Sequence, residues 1–184
     1  TAHAASHSCA SWLGLSIAIS HQACYNDTQT YRGRLHKGDV TMSGIPCIFM
    51  RGGTSRGPYF NRADLPEDRE ALAQVLIATV GAGHPLNIDG IGGGNAVTTK
   101  VAMLSRSHDD WADIDYFFAQ VAVEKKEVDF SPTCGNILAG VGPAAVEMGL
   151  IDPSGDETRI KIRSVNTGAR VEATVQTHGG QVNY

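Results

Sequence analysis

The sequence predicts an α+β domain, with short strands packed around one buried apolar helix. Two observations predict it. Ile137, Leu138, Val141, Ala144, Ala145, Val146 and Met148 cover most of a helix circumference, so a helix there has to be buried on nearly all sides. Arg159-Ile160-Lys161-Ile162-Arg163 and Val171-Glu172-Ala173-Thr174-Val175 alternate with period two, the pattern of half-buried strands. With 21 glycines among 184 residues, tight turns and close backbone approaches are frequent, as in a strand-rich domain.

The elements follow in order. Ile45 to Met50 is a short apolar strand with Pro46 near its start, where an edge or first position tolerates it. Arg51-Gly52-Gly53-Thr54-Ser55-Arg56-Gly57 is a turn, and Pro58-Tyr59-Phe60 resumes extended structure. Asp64 and Glu67 have capping-box spacing with Pro66 in the first turn, and Leu72, Val75, Leu76 and Val80 continue at helical spacing until Gly81. A glycine-rich loop, residues 87–95, precedes a strand from Thr98 to Leu104. Another strand runs from Ile114 to Val123 and ends in the charged connection Glu124 to Glu127. Cys134 opens the apolar helix, which continues to about Gly149, with a kink or tight start expected at Pro143. Gly179 to Tyr184 has the look of a strand. The pattern reads as α+β rather than βαβ.

A net charge of −4 gives no support for nucleic-acid binding, and one Arg51-Gly52-Gly53 copy is not an RNA-binding repeat. An anionic ligand would be repelled by the global field, so its site has to be built locally from basic side chains and backbone N–H groups. Cys9, Cys24, Cys47 and Cys134 form no C-x-x-C pair and no zinc spacing with histidine, which fits a reducing, cytoplasmic setting. The run Trp12 to Ile19 is too short to cross a membrane and lacks a basic flank. Residues 1–41 hold four of the seven histidines and little periodicity. They are expected to be a non-native or disordered extension, ahead of a natural start at Met42. Residues 42–184 then form the domain.

Chemistry concentrates in three places. In Thr133-Cys134-Gly135-Asn136 a thiol stands where a helix begins, and unpaired first-turn N–H groups favour an anion there. Such a cysteine can act as a thiolate or proton carrier, or it can be a small buried residue; both readings stand. Gly90-Ile91-Gly92-Gly93-Gly94-Asn95 fails as a dinucleotide fingerprint, because Asn95 replaces the third glycine and no apolar strand precedes it. It reads as a plain turn or as a nest of N–H groups facing a carboxylate. Lys100 lies in a strand pattern, either solvated or pointing into a cleft, where a desolvated lysine can shuttle protons. Serine-hydrolase elbows and zincin motifs are missing from the sequence.

Taken together, Ile45-Pro46-Cys47, Met50 to Gly57, Ile88 to Gly93, Thr99-Lys100, Asp115-Tyr116 through Gln120, and Cys134-Gly135-Asn136 resemble the PrpF family of isomerases. Its members act on 4-oxalomesaconate, methylaconitate, methylitaconate and trans-aconitate. Val165 to Gly168, Ala173 to Thr177 and Gly179-Gly180 resemble its 4-oxalomesaconate tautomerases most. The resemblance covers Ile45 to Tyr184 and implies a diaminopimelate-epimerase-like fold of two halves, each a mixed or antiparallel barrel-like sheet around a central helix, with the active site between them. This chain looks like the N-terminal half, the C-terminal domain being absent. The resemblance assigns proton transfer to Lys100, with Cys134 as second acid/base or substrate contact. It assigns carboxylate binding to Arg51, Gly53, Thr54 and Ser55, to Gly92, Gly93 and Gly94, and to Gly135 and Asn136. It implies a cofactor-independent isomerase of a small polycarboxylate, either 4-oxalomesaconate or an aconitate-type or methylitaconate substrate, without nucleic-acid or membrane partners. A half-domain of this kind is expected to be inactive alone, and homo-oligomerisation stays open.

Overall fold

The structure, a computed structural model, describes residues 44–184; the expectation for residues 1–41 lies outside the described residues. Seven strands form one mixed sheet: β1 (Ile48–Gly52), β2 (Ser55–Asn61), β3 (Lys100–Arg106), β4 (Ile114–Ala122), β5 (Glu127–Asp129), β6 (Glu157–Ser164) and β7 (Arg170–Gln176). Their order is β1-β2-β3-β4-β6-β7. β4, at nine residues, is long enough to pair with β6 through Ile114–Tyr116 and with β5 through Gln120–Ala122, while its other edge is bonded to β3.

β2–β3 and β4–β6 are parallel and the remaining pairs antiparallel. Parallel neighbours need a long crossover, and each one here is helical. Helix α1 (Arg69–Val80) lies between β2 and β3, and helices α2 (Gly135–Leu138) and α3 (Val141–Glu147) lie between β4 and β6. The α+β class holds, with two local strand–helix–strand crossovers inside the mixed sheet that periodicity did not reveal.

Side-chain alternation divides the core between the two sheet faces. Tyr59, Ala102, Leu104, Tyr116, Phe118, Ile160 and Ile162 pack with Ile137, Val141, Ala144 and Ala145 of α2 and α3. Phe60, Val101, Met103, Ala119 and Val121 pack on the other face with Leu72, Val75, Leu76 and Val80 of α1.

Three local expectations change. The helix at Cys134 is two short helices, not one. Pro143 has no N–H to donate to Ala139, and Gly140 bonds back only three residues, to Ile137 at 3.0 Å, so the chain turns at Ala139–Gly140. α1 starts after Asp68, whose carboxylate accepts the Ala71 N–H at 2.8 Å, rather than at an Asp64 capping box. The residue before Pro66, Leu65, is extended (φ −113°, ψ 153°), as a following proline favours, and residues 62–64 form only a 3₁₀ turn. Residues 178–180 are likewise a 3₁₀ turn and not a strand, with Gly179 at φ 62°. Gly81 ends α1 in the left-handed region as expected, at φ 77°.

Candidate active site

Lys100 begins β3 on the α2 face, the side of Ala102 and Leu104. Its register partner in β4 is Gln120, and the Lys100 ammonium donates to Gln120 Oε1 at 2.8 Å. The same Nζ lies 5.4 Å from the centre of the Phe118 ring, two residues along β4, close enough for a cation–π attraction. Gln120 is held in turn, its Nε2 donating to Thr99 Oγ1 at 2.8 Å and Thr99 O at 3.1 Å.

Cys134 stands on that face too, half-buried against the cluster of Tyr59, Tyr116 and Phe118. Two tyrosine hydroxyls fasten the helix start behind it. Tyr116 donates to the Cys134 carbonyl at 3.2 Å and Tyr59 to the Ile137 carbonyl at 2.7 Å. Burial, with the nearby Cys134 charge second, pushes both phenols well above their ordinary range, so they remain donors. The first-turn N–H groups of α2 have no intrahelical acceptor, and a Cβ on Gly135 would meet open space. This start is therefore accessible from one side.

The β1–β2 turn closes against the same helix start. Asn136 Nδ2 donates to Thr54 Oγ1 at 3.0 Å, and any side chain on Gly53, which is at φ 53°, would collide with the Asn136 amide. Ser55 shares the face of Tyr59 and is 1% exposed, yet its hydroxyl has no hydrogen-bond partner in the protein. Gly57 lets β2 approach β3 so closely that a Cβ would run into the Lys100 carbonyl oxygen.

The structure thus brings Lys100, Cys134, Gly53, Thr54, Ser55, Gly135 and Asn136 to one end of one sheet face. It does not bring Arg51 there. Arg51 pairs with Arg56, which faces Phe49 on the opposite side, and its Nε donates to Gly53 O at 3.1 Å. Gly92 is also engaged elsewhere, its N–H donating to Val80 O at 3.1 Å at the end of α1. Gly93 and Gly94, at φ 100° and 73°, continue the loop beside Thr98 and Pro85. A shallow depression lined by Pro85, Gly94, Asn95, Thr99 and Gln120, among others, reaches Gln120 from the loop side, but Lys100 and Cys134 do not line it. Among the described residues no group of three or more His, Cys, Asp or Glu could hold a metal ion, and no helix is long and apolar enough to cross a membrane.

Sequence reasoning missed the organising roles of Tyr59, Tyr116 and Gln120. The signal was present: Tyr116, Phe118 and Gln120 alternate along β4, and Gln120 is the polar residue in an apolar strand end.

Residues 42–184 match the model of one family, described as PrpF protein. The (4E)-oxalomesaconate Delta-isomerase of Novosphingobium sp. (strain KA1) is 51% identical over 146 residues, covering 79% of this chain and 41% of that protein. The 4-oxalomesaconate tautomerase of Pseudomonas putida is 50% identical over 140 residues, covering 76% of this chain and 39% of that protein. The crystal structure of a methylitaconate-delta-isomerase superposes with a TM-score of 0.72 at 38% identity, covering 75% of this chain and 62% of that one. The chain spans about two fifths of the length of these two curated relatives.

Proposed function

The chain belongs to the PrpF family, and from that membership we propose that it supplies the proton-transferring wall of an isomerase acting on an unsaturated polycarboxylate, with 4-oxalomesaconate as the preferred substrate. The observation that carries this reading is the Lys100 amine, held by Gln120 and Phe118 on the face where α2 begins at Cys134.

Moving a double bond in such an acid breaks a C–H bond next to a carboxylate or keto group. The proton passes to the base, the electron pair spreads into an enolate, and the proton returns at another carbon or at oxygen. Lys100 serves as the base and, once protonated, as the acid that returns the proton. Cys134 acts as second acid/base or as a substrate contact. The enolate and the carboxylates are received by the Gly135 and Asn136 N–H groups, by Thr54 and the unpartnered Ser55 hydroxyl, and by the backbone of Gly53, whereas Gly93 and Gly94 lie beside Arg56 and Pro85, away from this face. Arg51 and Gly92, engaged as described, are left out of this set. The reading invokes no metal and no cofactor.

The test is a screen of the full-length protein against a panel of unsaturated polycarboxylates, followed by the change in conjugated-acid absorbance and by product NMR. Turnover of 4-oxalomesaconate above the other acids is the expected result. A preference for methylitaconate would favour the second reading, which the 0.72 superposition on a methylitaconate-delta-isomerase supports. No turnover of any member would overturn both.

A further inference from the structure

We infer that Gln120 is the residue that aims the Lys100 amine, a positioning role that deepens the function proposed above and rests on it. The two side chains are direct cross-strand partners, and Gln120 Oε1 accepts from Lys100 Nζ at 2.8 Å. Which end of the amide faces the lysine is fixed by its surroundings. On its other side Gln120 Nε2 meets three acceptors: Thr99 Oγ1 at 2.8 Å, Thr99 O at 3.1 Å and Ala96 O at 3.3 Å. Thr99 is 1% exposed, so its hydroxyl oxygen has little water to turn to, while its carbonyl also accepts the Val121 N–H at 2.9 Å. A flipped amide would set its oxygen against two backbone carbonyls and turn an NH₂ toward the lysine's own donors, losing these bonds together.

An amine that abstracts a proton from carbon has to present its lone pair to the substrate and direct its N–H bonds elsewhere. A neutral amine has two N–H bonds. The Gln120 carbonyl takes one, and the Phe118 ring, 5.4 Å away, borders Nζ on another side. Lys100 is half-buried, which leaves the lone pair the side that neither group borders. The same carbonyl also accepts from the ammonium, more strongly than from the amine, so the contact persists when the proton is carried and when it is returned. A carboxylate at this position would pair with the ammonium and hold the proton on nitrogen. An amide, which neither ionises nor takes the proton, aims the group without trapping it.

Gln120→Leu and Gln120→Glu change the volume little and act oppositely on Lys100, so together they separate aiming from packing. In this chain, Lys100 is followed by brief reductive methylation and peptide mapping, with exposed Lys161 as reference. Relative to the unaltered chain, labelling of Lys100 should rise several-fold in Gln120→Leu and fall in Gln120→Glu. In the full-length protein, both substitutions should lower kcat about tenfold or more with KM little changed. Thr99→Val, which leaves Gln120 in place but removes one of its anchors, should give a smaller loss of the same kind and keeps the test open if either Gln120 variant fails to fold. Lys100 labelling that is unchanged, or that moves the same way in both variants, overturns the inference. Opposite labelling shifts without loss of kcat overturn it as well. Lys100→Ala in the same assay then tells the two failures apart, since its full turnover would mean that the proposed base, and not its aiming, was wrong.

Discussion

Cys134 and Cys47 are the two described thiols, and their surroundings set different chemistry. Cys47 is 8% exposed, and burial pushes its thiol up to about 11, so it is inert near neutrality. Cys134 is half-buried at a helix start where the neighbouring Gly135 position is open. Brief treatment with a small alkylating reagent and peptide mapping should therefore label Cys134 and spare Cys47. An unlabelled Cys134 would mean a packed structural cysteine. Bound polycarboxylate should slow the labelling of Cys134 in the full-length protein. At this scale the sequence singles out Lys100 and Cys134 as candidates by residue type and immediate neighbours, and the roles proposed for them rest on the family resemblance. The family resemblance assigns carboxylate binding to Arg51 and Gly92 as well, but strand register turns Arg51 toward Phe49's side and α1 takes the Gly92 N–H. Such competition is long-range, and no local pattern contains it.

At the level of elements, glycine decides how closely β2 approaches β3. A Cβ at Gly57 would meet the Lys100 carbonyl oxygen, a backbone atom that cannot swing aside. Gly57→Ala should therefore destabilise the fold by about 1–3 kcal/mol, as overpacking does, read as a lower urea midpoint at unchanged slope. An unchanged midpoint would show that the two strands separate at little cost. The strands themselves were legible from alternation, and α1 from its apolar spacing. Their ends were less so: the rule that keeps Leu65 extended before Pro66 acts one residue away from the cap it overrides, and the break at Ala139–Gly140 depends on a missing donor at Pro143. The parallel pairings β2–β3 and β4–β6 were not legible, since a helix between two strands fixes neither the partner nor the face it crosses.

Across the whole molecule, a charged network ties the β3–β4 connection to the far strands. Arg163 grips Asp115 through two hydrogen bonds of 2.9 and 2.8 Å, and Arg170 reaches Asp109 at 3.3 Å. The Trp111 N–H, then Arg170, the Ala112 N–H and Arg163, hold the Asp109 carboxyl below the usual carboxylate range against a smaller opposing effect of burial. The Ser131 hydroxyl and N–H do the same for Asp129. A carboxyl whose native value is depressed contributes stability above its unfolded value, near about 4, and loses it as pH falls through the native value. Thermal stability should thus be flat from neutrality to about pH 5 and decline below about pH 4, and Asp109→Asn should flatten that decline. An acid limb unaffected by the substitution would show that Asp109 titrates alike in the native and unfolded states.

Proton transfer through Lys100 on this face is decided by the turnover of Lys100→Ala in the full-length protein, on whichever polycarboxylate the unaltered protein isomerises. Lys100 lies at a strand start with its amine on Gln120 and Phe118, so its loss removes a proton carrier and leaves the buried clusters intact. Proton transfer by Lys100 requires a fall in kcat of about 10²- to 10⁴-fold with an unchanged melting curve. Near-normal turnover by that variant would contradict it.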